Sequence, residues 1–165
     1  NRLQGGSGAD TLAGLGGNDE LIGDAGADSL EGGAGDDSLN GGTDADTLTG
    51  SAGRDTLAGG FGADVFRFLA EGDSLAGAPD LIADFDPALL DLIDVSALDA
   101  NRRKAGDQAF ELVDAFSRKP AGQFTLTYDA ASDTTRADFQ TDQDAGVEFS
   151  LIIAGEVTTA DGFVL

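Results

Sequence analysis

The sequence predicts an all-β chain of 165 residues: a parallel β-roll over residues 1–75, continuing into a mainly antiparallel β cap over 76–165. Three observations predict it. The stretch from Gly5 to Arg67 is one nine-residue unit written seven times, as GGSGADTLA, GLGGNDELI, GDAGADSLE, GGAGDDSLN, GGTDADTLT, GSAGRDTLA and GGFGADVFR, and its frame never slips. From Phe68 onward that period is gone, glycine thins out, and Phe, Ile and Val increase. The last third alternates apolar and polar residues with period two between turn-rich segments, as antiparallel strands do.

Within the unit, position one is always Gly (Gly5, Gly14, Gly23, Gly32, Gly41, Gly50, Gly59) and position six always Asp (Asp10, Asp19, Asp28, Asp37, Asp46, Asp55, Asp64). Position eight is Leu until Phe66 takes it. A short fixed period with an invariant apolar phase is the mark of a solenoid. Positions one, two and four are mostly Gly, the residue of positive φ, so the first six residues are expected to turn tightly with carbonyls pointing inward. The last three alternate polar, apolar, polar, which predicts a very short strand with one side chain in the core. Two units then complete a coil of eighteen residues, and units n and n+2 stack. Asp10, Asp28, Asp46 and Asp64 line one edge, and Asp19, Asp37 and Asp55 the other. Leu12, Leu30, Leu48 and Phe66 ladder opposite Leu21, Leu39 and Leu57.

Departures from the unit carry their own expectations. Leu15, Asp24 and Ser51 replace Gly at position two, which reads as a less demanding position. Asp44 replaces Gly at position four, and Asp tolerates the left-handed region. Asn1 and Leu3 fall at positions six and eight of a preceding unit, so the roll is expected to continue upstream in a longer parent. Asp73 and Leu75 keep phase without the glycines, as a degenerate eighth unit ending the roll would.

Stacked carboxylates need a reason, because adjacent coils lie about 4.8 Å apart and like charges at that spacing repel. A hard divalent cation removes the conflict. Ca²⁺ accepts six to eight oxygens at roughly 2.3–2.6 Å, whereas Mg²⁺ demands a tighter octahedron and keeps its water. Each site is expected to combine Asp carboxylates from two stacked turns with backbone carbonyls from the Gly-rich positions. Five stacked Asp pairs follow from the register, so about five calcium ions or more are expected. The bland alternative is a Gly/Asp-rich disordered tail, but such tails have no reason to keep an apolar residue in phase through seven units.

Composition narrows the function. A net charge of −22 and a pI near 4.1 exclude nucleic acid and anionic membrane surfaces as partners and favour cations. The chain has no Cys, so no disulfide framework holds it, and metal is expected in that role. It has no His, so a zinc-protease H-E-x-x-H is excluded and a Ser triad would lack its usual base. A carboxylate pair for glycoside hydrolysis stays formally open, but calcium or surface charge accounts for most acidic residues. The chain is therefore read as non-catalytic, the C-terminal region of a larger secreted enzyme. No apolar run approaches the roughly 20 residues of a membrane span and no signal-peptide pattern opens the sequence, so no membrane insertion is expected.

In the second half, residues 79–85 alternate and read as a strand, and 101–107 are a polar, basic loop. Residues 109–116 fit a strand or a short helix equally. Residues 123–128 and 134–140 read as a hairpin, followed by a polar turn at 141–146 and a strand over 147–153. A cap is physically required, since the last coil of an open solenoid exposes a sheet edge and a half-covered core.

The unit resembles the RTX (repeats-in-toxin) calcium-binding repeat. Gly62-Ala63-Asp64-Val65-Phe66, Asp80-Leu81-Ile82-Ala83-Asp84-Phe85 and Ile93-Asp94-Val95-Ser96-Ala97-Leu98 resemble the C-terminal domain of serralysin-type metalloproteases. Tyr128-Asp129-Ala130-Ala131-Ser132-Asp133-Thr134 and Ile153-Ala154-Gly155-Glu156-Val157 do so too. Related secreted lipases and alginate epimerases share this domain type. The resemblance implies calcium on the seven repeat Asp residues and on backbone carbonyls such as those of Gly6, Gly8, Gly17, Gly26, Gly33 and Gly35. It also implies ligands beyond the roll at Asp73, Asp84 and Asp91, although Asp84 fits a strand-end carboxylate bonded to backbone as well. Asp142 and Asp144 read as a polar turn, because the bidentate Glu that closes a calcium loop is missing.

The resemblance further implies extracellular localisation through a type I secretion machinery, guided by an uncleaved C-terminal signal. Serralysins end in an acidic residue and three apolar ones; here Phe163-Val164-Leu165 follows Gly162, with Asp161 one place back. The alternative is a polysaccharide-binding module like an alginate epimerase repeat, with Arg102, Arg103, Lys104, Arg118 and Lys119 as its basic patch. The charge of −22, one Tyr and no Trp weigh against it.

Overall fold

A computed structural model describes residues 1–98, 111–112, 123–140, 149–157 and 162–164. The repeat region forms β1 (Arg2–Ser7), β2 (Thr11–Gly16), β3 (Glu20–Ala25), β4 (Ser29–Ala34), β5 (Ser38–Thr43), β6 (Thr47–Ala52), β7 (Thr56–Phe61) and β8 (Val65–Arg67). Strands β1–β7 are six residues long, twice the expected length. Each runs from position seven of one unit to position three of the next, and only positions four to six turn. The reason is in the ladder: Leu15 pairs with Gly33 and Gly16 with Ala34, so the backbone keeps its parallel partner past the unit boundary.

Odd and even strands stack separately, all in parallel, in an 18-residue register. Leu3, Leu21, Leu39 and Leu57 pair in sequence down one sheet, and Leu12, Leu30, Leu48 and Phe66 down the other. From Leu21 to Phe66 these rungs are essentially inaccessible to solvent. One apolar residue per unit meeting its own kind above and below is the whole core of the roll.

Both ladders continue where the repeat stops. Strand β9 (Asp80–Ile82) lies beside β7 with Ile82 against Leu57, and β10 (Leu92–Asp94) lies beside β8 with Ile93 against Phe66. The chain reaches these places by longer excursions, so the phase-keeping Asp73 and Leu75 do not build an eighth unit. Glu71–Asp73 is a 3₁₀ turn, and Leu75 is exposed and bridges to Ala78 and Phe149.

The remaining described strands are β11 (Glu111–Leu112), β12 (Gln123–Asp129), β13 (Thr134–Gln140), β14 (Phe149–Ala154) and β15 (Phe163–Val164). Strand β14 joins β9 in parallel, and β14, β13 and β12 then run antiparallel. The expected hairpin is present, with Asp129 opposite Thr134 and Phe124 opposite Phe139. Strand β11 lies parallel to β12, which decides for strand over helix at Glu111–Leu112. Among the described residues, one sheet thus has nine strands and the other six, the latter ending β8-β10-β15. All-β architecture, a parallel roll and antiparallel strands at the far end are as the sequence predicts.

The cap closes the core with aromatic rings. Phe68 meets Phe149 at 5.3 Å, and Phe124 stacks on Phe139 at 5.1 Å. The basic loop at 101–107, Arg118, Lys119, and the turn holding Asp142 and Asp144 lie outside the described residues. Among the described residues, no helix is long and apolar enough to cross a membrane.

Candidate metal centre

Each turn ends on its position-six Asp, and the two carboxylate oxygens of that side chain do different things. The Oδ1 atom accepts the backbone N–H of the Asp one coil earlier: Asp10 to Asp28 at 2.7 Å, and Asp19 to Asp37, Asp28 to Asp46, Asp37 to Asp55 and Asp46 to Asp64 at 2.8 Å. The Oδ2 atoms of Asp10, Asp19, Asp28, Asp37, Asp46, Asp55 and Asp64 are buried and accept no hydrogen bond. Buried polar atoms are nearly always paired, so a file of orphaned carboxylate oxygens is an exception that calls for a physical reason.

The rows extend beyond the repeat. Asp55 N–H donates to Asp80 Oδ1 at 2.8 Å, and Asp64 N–H to Asp91 Oδ1 at 3.0 Å. Asp80 Oδ2 joins the orphaned set. Sequence reasoning missed Asp80 because it is out of phase. The signal was there in Asp80-Leu81-Ile82 and Asp91-Leu92-Ile93, which repeat the Asp-x-apolar pattern of Asp55-Thr56-Leu57.

Glycine serves two separate needs in the turn. Position one is not at positive φ, which corrects the expectation. A Cβ at Gly5 would stand 2.8 Å from Asp10 Oδ2, and one at Gly14 would stand 2.8 Å from Asp19 Oδ2 and 2.5 Å from the Gly32 carbonyl. Position one is Gly because the carboxylate occupies the space a side chain needs. Positions two and four have positive φ in every unit, including Leu15 at 74°, Asp24 at 73°, Ser51 at 71° and Asp44 at 77°. Position two is therefore as demanding as position four, and its non-glycine residues carry strain of order 1–3 kcal/mol each.

Carbonyls at these positions face the next coil. A Cβ at Gly35 would lie 2.6 Å from the Gly17 carbonyl oxygen, and Cβ atoms at Gly26 and Gly53 would meet those of Gly8 and Gly35. Gly6, Gly26 and Gly33 hold the equivalent positions but face Asp24, Asp44 and Ser51 in the following coil. Among the described residues no three acidic side chains converge, so a cation held here takes much of its shell from carbonyls. With no His or Cys in the chain, the donor set is all oxygen, and it fits a hard cation such as Ca²⁺.

Asp73 and Asp84 are differently engaged. Asp84 turns Oδ1 to Gly59 N–H and Oδ2 to Gly60 N–H, both at 2.9 Å. Asp73 Oδ2 accepts Leu69 N–H at 2.7 Å and Ala70 N–H at 2.9 Å. Asp91 spends Oδ2 on Asp86 N–H at 2.9 Å.

Burial dominates the electrostatics. It pushes Asp46 and Asp55 up to about 6 and Asp80 up to about 8, with repulsion from neighbouring Asp residues adding to the rise. Asp37, Asp64 and Asp91 are raised for the same reason. These acids are held where a negative charge is unwelcome unless something positive joins them.

Residues 3–165 match the family model described as peptidase M10 serralysin C terminal. The chain belongs to the serralysin C-terminal family. Among solved structures, this serralysin C-terminal chain is similar to the AlgE6R2 subunit from the Azotobacter vinelandii mannuronan C5-epimerase, with 29% identity over 93% of this chain and 90% of that one and a TM-score of 0.53. It is also similar to the AlgE6R3 subunit of that epimerase, with 32% identity over 96% of this chain and 78% of that one and a TM-score of 0.46. No curated protein matches the chain. Both likenesses named from the sequence motifs, serralysin C-terminal domain and alginate epimerase repeat, reappear in these comparisons.

Proposed function

We propose that this serralysin C-terminal chain is a calcium-binding module that folds as it binds. It is the non-catalytic C-terminal region of a larger secreted enzyme, exported by a type I machinery. The observation that carries the proposal is the file of buried Oδ2 atoms, eight among the described residues, without a hydrogen-bond donor. Asp10, Asp19, Asp28, Asp37, Asp46, Asp55 and Asp64 would hold the ions together with carbonyls at positions two and four of the turns, and Asp80 and Asp91 extend the rows. Calcium, when bound, supplies the positive charge that the stacked carboxylates lack.

The chain's own residues do the rest. Oδ1 of Asp28, Asp37, Asp46, Asp55 and Asp64 fixes the coil spacing through a backbone N–H, each Oδ2 is held inward, and each position-one glycine keeps the space beside it clear. Residues 76–165 cap the roll and carry the export signal, with Phe163-Val164-Leu165 at its end. Extracellular modules bind calcium with constants of about 10⁻⁴–10⁻³ M, so the module would stay unfolded in the cytosol and fold outside. Calorimetric titration with calcium tests the reading: several ions should bind, and Asp28→Asn and Asp46→Asn should each lower the number or the affinity. Absence of calcium binding at millimolar concentration would overturn it.

A second reading, contact with a polyuronate, is favoured by the likeness to a mannuronan C5-epimerase subunit over 93% of the chain. Titration with mannuronan oligomers in saturating calcium tests it. Binding should weaken with salt and with Arg102, Arg103 and Lys104 changed to Ala; a flat titration leaves the first reading alone.

A further inference from the structure

Strand β15 is only two residues long, yet it is placed as a full rung. Phe163 pairs with Ile93 and Val164 with Asp94 in parallel, and the Ile93 N–H donates to the Gly162 carbonyl at 2.6 Å. Phe163 therefore follows Leu12, Leu30, Leu48, Phe66 and Ile93 in one ladder. Its ring lies 5.4 Å from that of Phe124, 6.3 Å from Phe139 and 6.5 Å from Phe85. Gly162 has φ of 86°, and a Cβ there would stand 2.6 Å from the Phe85 ring and 2.8 Å from the Asp91 carbonyl oxygen. Only glycine lets the chain lie this close, which gives a physical reason for Gly162 before the apolar triple.

The strand that receives β15 is held from its other side by the acidic row. Strand β10 pairs with β8 at three positions, and Leu92 N–H donates to the Asp64 carbonyl at 2.8 Å. Asp91, one residue before β10, takes the Asp64 N–H on Oδ1 and the Asp86 N–H on Oδ2. The same Asp91 presents its carbonyl to Gly162. A single residue thus touches the last rung of the acidic row and the segment that docks on it.

We propose that Gly162-Phe163-Val164 is a latch governed by the Asp64–Asp91 rung. With that rung drawn together, β15 docks on β10 and is withdrawn from any receptor; with the rung loosened, it is released. Two paired residues and one ring make docking cheap to break, as for the least stable local units of a protein. An ion at the rung shifts the latch only by binding the docked form better, and by reciprocity a docked latch tightens the rung. Withdrawing an export address after calcium arrives rests on the export reading above, whereas the coupling of latch to rung does not.

Hydrogen exchange on the full chain, with calcium as the probe, tests the latch. In wild type, the peptide over 162–165 should exchange about tenfold or more slowly in saturating calcium than in chelator, together with β3–β6. Gly162→Ala should leave that peptide fast at every calcium concentration while β3–β6 stay protected, and should raise the calcium needed to protect β8 and β10. Asp91→Asn should require more calcium to protect the tail than to protect β3–β6. Tail protection in Asp91→Asn at the wild-type calcium concentration, or unchanged protection of β8 and β10 in Gly162→Ala, would overturn the latch. If β3–β6 ignore calcium altogether, the calcium reading fails, and the latch is judged on whether Asp91→Asn speeds exchange of the tail: faster supports it, unchanged overturns it.

Discussion

The backbone N–H of Asp55 donates to Oδ1 of Asp80 at 2.8 Å, although the two residues are 25 apart and the repeat has already ended. This bond joins the repeat to the cap and carries one acidic row across the junction. Asp80 Oδ2 is buried and unpaired, and burial raises the carboxyl to about 8.

Asp80 therefore has opposite effects in the two states. Asp80→Asn keeps an acceptor for the Asp55 N–H while replacing a buried acid, costly to hold either charged or protonated, with a neutral amide. It should raise the melting temperature of the calcium-free protein and lower calcium affinity. Asp80→Ala also removes the acceptor and should cost about 1–3 kcal/mol relative to Asn in both states. Thermal unfolding followed by circular dichroism, with and without calcium, measures both; equal behaviour of the two variants would contradict the geometry.

The two glycine roles separate by mutation. Gly32→Ala places a Cβ 2.5 Å from Asp37 Oδ2 and 2.9 Å from the Gly50 carbonyl, and should destabilise the calcium-loaded protein by about 1–3 kcal/mol. Leu15 is 80% exposed at φ of 74°. Leu15→Gly should thus be neutral or stabilising by up to about 1 kcal/mol, strain relief outweighing the added freedom of the unfolded chain. Denaturant titration of both variants in calcium checks the contrast.

Acidity should stand in for calcium. Asp46 and Asp55 rise from 3.8 to about 6 and Asp80 to about 8 in the folded chain, so the folded state holds protons that the unfolded state has lost. The destabilisation is absent below the unfolded value near 4 and grows as pH rises through about 6 to about 8. Calcium-stripped protein should accordingly be more folded at pH 4.5 than at pH 8, and calcium affinity should climb over the same interval as protons cease to compete. Circular dichroism of stripped protein against pH reads the first effect; stability that increases with pH would refute it.

How far the sequence carried these conclusions depended on the range of each contact. The roll and its register were legible because position eight repeats one apolar residue from Leu12 to Phe66, and stacking places each on its own kind. The reason for the invariant first glycine was not, since it depends on where a carboxylate five residues later folds back, as between Gly5 and Asp10. The strands run longer than the pattern suggests because positions two and three pair through their backbone, with no side-chain alternation to announce it. Asp80 escaped because an excursion between β7 and β9 breaks the count. The hairpin was readable locally, but it reaches the roll through β14, whose Leu151 pairs with Asp80, and those residues are too distant for periodicity to connect.

On the proposed function, folding of the roll and binding of calcium are one event. Apolar burial of one Leu per unit returns roughly 25 cal/mol per Å², against a backbone entropy cost of about 1–2 kcal/mol per residue, and the orphaned carboxylates add repulsion. Far-UV circular dichroism of the full chain at pH 7.5, in chelator and then through a calcium titration, tests this most directly. Little β structure is expected in chelator and a cooperative gain at millimolar calcium, with a midpoint raised by Asp28→Ala or Asp46→Ala. A roll that keeps its full β signal in excess chelator would contradict it.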